Sequence, residues 1–114
     1  MSSKKRKARE ALQRRIARIR AMEHIDTRDS SVTPPFGSVM ADQKALAHNN
    51  TYDRLPVFYM DRVFVCRDCG REEIWTAEQQ KWWYEQAKGN INATAVRCRP
   101  CRTKRKKSGQ GEQP

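Results

Sequence analysis

Four cysteines carry the clearest chemistry in this sequence. They form two Cys-x-x-Cys pairs with 28 residues between the pairs, and they are Cys66, Cys69, Cys98 and Cys101. A structural zinc ion takes four ligands in a tetrahedron, with each Zn–S distance about 2.3 Å. A two-residue spacer forms a tight turn that directs two thiolates at one ion, so two pairs complete one site. The pattern therefore predicts a single Zn(II) ion held by all four cysteines.

The residues next to the cysteines suit such turns. Gly70 follows the first pair directly and can adopt a positive φ without steric cost. Pro100 lies inside the second pair, where its ring presets φ for a turn or for the first turn of a helix. The interval between the pairs is longer than in most zinc fingers, and a helix of about 12 residues would account for most of the excess.

Other cysteine chemistry fits the sequence less well. A disulfide needs an oxidising compartment, and the basic start of the chain is not followed by the apolar region of a signal peptide. We therefore expect a cytoplasmic protein with reduced thiols. A thioredoxin-like site needs one pair within a βαβ unit, which neither pair has. A thiol or zinc redox-sensitive regulator, which releases metal on oxidation, remains as a second alternative.

Residues for catalysis are not recognisable. A catalytic zinc keeps one coordination position open, and four cysteine ligands leave none. The only histidines are His24, expected inside an N-terminal basic helix, and His48, expected in a polar loop. No Ser/His/Asp set, phosphate-binding glycine loop or paired-carboxylate site is recognisable. We therefore expect a protein that is not an enzyme and has no small-molecule substrate.

The positive charge is concentrated in two flanks. The net charge is +11, with +7 in residues 1–28, +7 in residues 97–107, −2 in residues 29–96 and −1 from Glu112. Basic flanks favour a polyanionic partner, and no apolar run approaches the length of a membrane span. Nucleic acid is therefore expected before a membrane. The alternative is that the flanks are solvated and only keep a small protein soluble.

The N-terminal half is predicted to hold a helix and a linker. Residues 1–28 read as a basic amphipathic helix, which either docks on RNA or an acidic membrane surface or packs on the domain. Its apolar stripe comprises Ala8, Leu12, Ile16, Ile19 and Met22. Residues 29–54 read as a flexible linker or loop segment because Pro34 and Pro35 stop any helix, with one helical turn after Asp42.

Residues 55–104 are predicted to form the metal-binding domain. Two β-rich runs on either side of Asp61 indicate a strand pair, and "REEIW" can return antiparallel to "RVFVC" with the first cysteine pair in the turn. Thr76 and Gln79 form a capping-box pattern before a helix from Ala77 to about Lys88, with Gly89 as its left-handed C-terminal residue. Residues 105–114 read as a flexible tail, first basic and then polar.

A family resemblance supports this organisation. "FVCRDCGREEIWTAEQQKWWYEQAKG" followed by "AVRCRPCRTKRK" resembles a small bacterial family of zinc-ribbon or zinc-binding domains over about residues 55–107. The family has a Cys-x-x-Cys-Gly turn, a Trp-Thr-Ala-Glu-Gln helix start and a second Arg-Cys-x-x-Cys turn followed by basic residues. The resemblance implies zinc at the four cysteines. It implies no activity, since the function of the family is not established.

Two fold alternatives follow for this small, metal-stabilised α+β domain. If the tail is disordered, the core is a zinc ribbon with an inserted helix. If "RPCRTKRKK" begins a helix, the domain is treble-clef-like, and the second cysteine pair lies at a helix N-terminus whose dipole favours thiolates. The second arrangement is similar to zinc-bearing ribosomal proteins, in which the basic helix lies along RNA.

The basic residues around the second pair suggest a binding surface. Arginines close to the cysteines can offset the formal −2 charge of a zinc ion with four thiolates, which requires no ligand. The basic residues that follow the second pair are not needed to offset the charge of the site. We predict that they contact the phosphates of a nucleic acid, with RNA favoured over DNA. The predicted nucleic-acid-binding residues are Arg99, Arg102, Lys104, Arg105, Lys106 and Lys107. The alternative is a protein–protein interaction adaptor that docks through the Trp/Tyr helix face.

Overall fold

A long helix precedes two small antiparallel hairpins and two further helical segments. The computed structural model describes residues 2–49 and 54–107, except for the side chains of residues 2, 3 and 107. The elements are α1 (Ser2–Ala21), β1 (Val39–Met40), a 3₁₀ turn (Lys44–Leu46), β2 (Phe58–Tyr59), β3 (Arg62–Val65), β4 (Glu72–Trp75), α2 (Ala77–Lys81), a π-helical turn (Trp82–Gln86) and α3 (Arg99–Lys107). This is a small α+β fold.

The hairpin of β3 and β4 holds the first cysteine pair, as predicted. The strands are antiparallel, and their register runs from Arg62 opposite Trp75 to Val65 opposite Glu72. Residues 66–71 form the connection between the two strands. The first cysteine pair is therefore positioned by a local turn.

The predicted pairing of the two runs on either side of Asp61 is wrong. β2 pairs instead with β1, with Val39 opposite Tyr59. The Asp61 carboxylate accepts a hydrogen bond from the backbone N–H of Ala77 at 2.8 Å, at the start of α2. Asp61 therefore binds the start of α2 and does not form a tight turn between β2 and β3. The chain continues from β2 into β3, and β2 pairs with β1 while β3 pairs with β4.

The helix after β4 begins as predicted and changes geometry after one turn. The Thr76 hydroxyl accepts from Gln79 N at 3.1 Å, and the Gln79 side chain accepts from Thr76 N at 3.0 Å, which completes the capping box. α2 ends at Lys81, and the π-helical turn follows. Its wider spacing buries the consecutive residues Tyr84 and Glu85. The prediction of one regular helix to Lys88 is therefore corrected.

The left-handed residue at the end of this segment is Lys88, with φ 60°, and not Gly89. Gly89 is needed for another reason. A Cβ atom at this position would lie 2.1 Å from Cε2 of Trp83. The Trp83 indole packs directly against the backbone of Gly89. Only a residue without a side chain allows the chain to pass this close to the ring after the helical segment ends.

The hydrophobic core lies between the hairpin of β1 and β2 and the helical segment. Tyr84 is at its centre, with ring centroids 6.0 Å from Tyr59 and 5.7 Å from Trp75. The Tyr59 hydroxyl donates to the buried Glu85 carboxylate at 2.8 Å. The buried members of the cluster are Leu46, Tyr59, Ala77, Tyr84 and Ile91.

The segment predicted as a linker, residues 29–54, supplies β1 and the 3₁₀ turn within its described part. The single helical turn expected after Asp42 is this 3₁₀ turn. Leu46 within it has no exposed surface and belongs to the core. Residues 50–53 of the predicted linker lie outside the described residues.

α1 packs against the domain through the end of its apolar stripe. Ile16 and Ile19 are 3% and 8% exposed and lie where α1 meets β3, whereas Leu12 is 41% exposed. Of the two alternatives for this helix, packing on the domain is thus observed for its C-terminal part. The helix ends at Ala21, so His24 lies outside it. Among the described residues, no helix has the length and apolar character needed to cross a membrane.

Candidate metal centre

The first cysteine pair lies in a hydrogen-bonded turn. The N–H of Cys66 donates to Arg71 O at 2.8 Å, and the N–H of Gly70 donates to Cys66 O at 2.9 Å. Gly70 has φ 76°, the positive value expected from its position after the pair. Cys66 is buried and Cys69 is exposed. The turn therefore holds one thiol inside the domain and one at its surface.

The second pair lies at the start of α3. Cys98 immediately precedes the helix and Cys101 is in its first turn, where Arg102 N donates to Cys98 O at 3.0 Å. The loop that leads to this pair is anchored by Tyr84, whose hydroxyl donates to Ala93 O at 2.6 Å. A backbone hydrogen bond joins the segments that carry the two pairs: the N–H of Arg67 donates to Val96 O at 2.7 Å.

These contacts bring the four sulfur atoms into one cluster. All four lie within 4.8 Å of one another, and Cys69 Sγ and Cys98 Sγ are 3.6 Å apart. A tetrahedral zinc–thiolate site requires sulfur–sulfur distances of about 3.8 Å, given its Zn–S bonds. A disulfide requires about 2.05 Å, and all four cysteines are free. The donor set thus fits one tetrahedral metal ion.

The pKa values of the thiols in this cluster are shifted in opposite directions. Burial by itself raises the pKa of Cys66, but backbone N–H groups, including those of Cys98 and Cys69, lower that pKa to about 6. Hydrogen bonding to Cys98, together with burial, raises the pKa of Cys101 to about 12. Four thiolates cannot share so small a volume without a compensating charge, and a divalent cation supplies that charge.

A clamp around Asp68 joins the two halves of the site. Asp68 lies between the cysteines of the first pair and accepts from Arg97 Nε at 3.2 Å and from Arg105 Nε at 2.9 Å. Hydrogen bonding from Arg105, the stronger influence, lowers the pKa of Asp68. The sequence pattern did not predict a role for Asp68. The signal available was a single acid within a cysteine pair in a region crowded with arginines.

The predicted basic surface divides into parts with different surroundings. Arg99, Arg102 and Lys106 line a cleft between α3 and the π-helical turn, which we call the α3 cleft. Lys104 is exposed and does not line it. Arg105 contacts Asp68 instead. The α3 cleft is also lined by Phe64, Glu73 and Trp82. The side chain of Lys107 lies outside the described residues.

Three features define the class of this domain: the β3–β4 hairpin with a cysteine turn, the second cysteine pair at the start of a helix, and one cluster of four thiols. These are the features of a treble-clef metal-binding domain. Residues 60–110 match the model of a family described as a probable treble clef domain. This part of the chain is therefore a treble-clef domain, and of the two alternatives the treble clef replaces the ribbon.

The matched residues make up somewhat less than half of the chain, and α1, β1 and β2 lie outside them. No curated protein and no solved structure matches the chain significantly.

Proposed function

We propose that this protein is a non-enzymatic zinc-binding module that binds nucleic acid, with RNA favoured over DNA, through phosphate contacts. One observation carries the proposal: α3 begins at the metal site and carries four cations without an ion pair in the part of the chain that is described. These cations are Arg99, Arg102, Lys104 and Lys106. Arg105, in contrast, is held by Asp68.

Zinc is the metal that this donor set suits best. Soft thiolates in a tetrahedron select zinc or iron–sulfur centres, and a closed four-cysteine site is typical of structural zinc. Cys66, Cys69, Cys98 and Cys101 would hold the ion and leave no position open for a substrate. Elemental analysis of protein purified under reducing conditions should find one zinc per chain. Iron in place of zinc would contradict this part of the proposal.

The charge around the site supports a polyanionic partner. A zinc ion with four thiolates carries a formal −2, yet Arg71 is paired with Glu73 and Arg97 with Asp68. Of the α3 cations that have no ion pair among the described residues, Arg99 and Arg102 adjoin the cysteines. Lys104 and Lys106 lie farther along the helix and remain available for phosphates. RNA is favoured because a basic helix that starts at a zinc site is similar to the arrangement of zinc-bearing ribosomal proteins.

Fluorescence anisotropy with a short labelled RNA tests nucleic-acid binding. Each phosphate contact should contribute a slope of about −0.7 to −0.9 in log affinity against log salt. Lys106→Ala should weaken binding and reduce the slope by about one contact. Lys44→Ala is the matched control, because Lys44 is exposed in the 3₁₀ turn and does not line the α3 cleft. No binding at low salt would contradict the proposal.

A protein–protein adaptor remains the second candidate because two aromatic side chains are exposed. Phe36 is fully exposed after Pro34 and Pro35, and Trp82 is 61% exposed. The adaptor is expected to dock through the Trp/Tyr helix face, on which Trp82 is exposed and Tyr84 is buried. Pull-downs that survive nuclease and high salt, and that are lost in Trp82→Ala, would favour the adaptor. A thiol redox regulator predicts zinc release on mild peroxide treatment, and unchanged zinc content would exclude it. Reduced thiolates are consistent with a cytoplasmic protein, which we include in the proposal.

A further inference from the structure

The α3 cleft has two chemically different walls. Its volume is about 580 Å³, within the range of about 300–1,000 Å³ that is common for ligand pockets. One wall is the basic helix α3, and the other is the π-helical turn with Trp82 and Trp83. Phe64 and Glu73 of the β3–β4 hairpin also line it.

The cationic wall is a helical stripe. Arg99, Arg102 and Lys106 are spaced by three and four residues, so they share one face of α3. The Nε atom of Arg102 is buried without a hydrogen-bond partner among the described residues. A buried guanidinium N–H with no acceptor is costly, and an anionic ligand in the cleft would supply one.

The aromatic wall presents a flat apolar surface to solvent. Trp82 is 61% exposed, although the core beside it buries Tyr84 and half-buries Trp83. The change to π-helical geometry begins at Trp82. Turns of this kind often occur at functional sites because they redirect side chains. Trp82 thus lies next to the core in sequence, but its side chain lines the cleft and is not buried in the core.

We propose that the α3 cleft holds one unpaired nucleotide of an RNA strand, with its base against Trp82 and its phosphates on the stripe of Arg99, Arg102 and Lys106. This inference rests on the proposed nucleic-acid function and narrows it to single-stranded segments. A base within a duplex is already stacked on both faces and cannot enter a concave site. An unpaired base can stack on an aromatic ring and on a guanidinium plane.

The polar groups at the cleft suit a nucleotide better than an acidic peptide. An acidic peptide would match the charge of α3, but it has no planar group to cover the Trp82 indole. The Glu73 carboxylate also lines the cleft. The same carboxylate can accept hydrogen bonds from the amino or imino groups of a base edge.

Anisotropy with a labelled oligouridine and with a blunt RNA duplex of the same length tests the inference. The protein should bind the single strand more tightly than the duplex. Trp82→Ala should weaken single-strand binding by about tenfold to a hundredfold with an unchanged salt slope. Trp82→Phe should retain most of the affinity, and Phe36→Ala, which removes an exposed ring outside the cleft, should have no effect.

The outcomes separate this inference from the function on which it rests. If Trp82→Ala binds oligouridine as well as the parent while Lys106→Ala lowers the salt slope, phosphate binding stands and the nucleotide cleft is wrong. Equal affinity for strand and duplex, or equal competition by a polyglutamate peptide, would also overturn the inference. If the parent protein binds neither RNA at low salt, both proposals fail. Zinc content and circular dichroism establish that each variant is folded.

Discussion

Tyr84 connects the core to the metal site through one side chain. Its ring contacts Tyr59 and Trp75, and its hydroxyl donates to Ala93 O in the loop that leads to Cys98. Burial raises the pKa of Tyr84 to about 12. The folded state therefore favours the neutral phenol, and removal of this hydroxyl or of its proton should weaken the hold on the second cysteine pair.

Tyr84→Phe should destabilise the protein at neutral pH by about 1 kcal/mol because the hydrogen bond to Ala93 is lost. The neutral phenol contributes stability fully below its unfolded pKa of about 10, and this contribution is lost as the pH rises towards 12. The difference in unfolding free energy between the parent and Tyr84→Phe should thus decrease by about 1 kcal/mol between pH 9 and pH 11. Urea unfolding at the two pH values measures it, and a constant gap would contradict the assignment.

Gly89→Ala tests the contact between the backbone and Trp83. Because the added Cβ would lie 2.1 Å from the indole, the substitution should cost about 1–3 kcal/mol of unfolding free energy. Trp83→Leu removes the atoms in conflict, so a double-mutant cycle should show positive coupling between the two positions. The neighbouring Lys88→Gly, at φ 60°, should instead stabilise the chain slightly. Additive effects would show that the contact carries no strain.

At the scale of elements, α1 joins the domain through few contacts. Ile16 and Ile19 are its buried residues, and two ion pairs at the surface connect Arg15 with Asp61 and Arg20 with Glu72. Exposed ion pairs of this kind contribute about 0–1 kcal/mol each. The two isoleucines must therefore provide most of the docking energy, and the exposed residues before them extend away from the domain.

Ile16→Ala should release α1 without unfolding the treble clef, since the helix lies outside the core around Tyr84. The lost packing is about 2–5 kcal/mol, and Ile16 is one of the two residues that provide most of the docking energy. Hydrogen exchange of the α1 amides should accelerate while zinc content stays the same. Leu12→Ala is the matched control because Leu12 is on the same stripe but is far more exposed than Ile16. Equal exchange rates in the two variants would contradict this view of the helix.

The β3–β4 hairpin also separates the two basic helices. Glu72 contacts Arg20 of α1, whereas its neighbour Glu73 lines the α3 cleft. Adjacent residues of a strand point to opposite faces of a sheet. α1 and the α3 cleft thus lie on opposite faces of the hairpin. An RNA strand held in the cleft, as proposed, would reach the cations of α1 only by passing around the hairpin.

For the whole molecule, the metal site is the main long-range link between the β3–β4 hairpin and α3. Further links in the described part of the chain are the clamp around Asp68 and the hydrogen bond from Arg67 N to Val96 O, in the loop before α3. Structural zinc contributes about 10–16 kcal/mol in small peptides, which equals or exceeds the total stability of many domains. The fold of the C-terminal half should therefore depend on the ion.

Cys98→Ser should abolish metal binding and the fixed fold of residues 60–107. The loss exceeds that of one contact because Cys98 is buried and its partners Cys66, Cys69 and Cys101 are left without a closed site. The near-ultraviolet circular dichroism signal and the amide dispersion in NMR spectra should be lost. Treatment of the parent protein with a strong chelator should have the same effect. Thr94→Ser, at an exposed loop position, should change nothing. A folded, metal-free Cys98→Ser protein would refute the dependence on metal.

Sequence alone was sufficient where the determining interactions are local. The first Cys-x-x-Cys turn, the Thr76–Gln79 capping box, the positive φ of Gly70 and the β3–β4 hairpin depend on residues a few positions apart, and the structure has each of them. The cluster of four cysteines joins distant segments, but it was predictable because one tetrahedral ion needs both pairs. The apolar stripe of α1 likewise predicted the helix, but not which of its residues would be buried. Such features follow from turn geometry and periodicity, which a single segment encodes by itself.

Tertiary structure decided everything that depends on contacts between distant segments. It placed Arg105 on Asp68 while Arg99, Arg102 and Lys106 face the α3 cleft, although all four belong to one basic run. It also paired β2 with β1 and redirected Trp82 through a π-helical turn. Charge and aromatic character are visible in a sequence. Which partner satisfies each group depends on the packing of the whole chain, because burial and distance are properties of the folded molecule only.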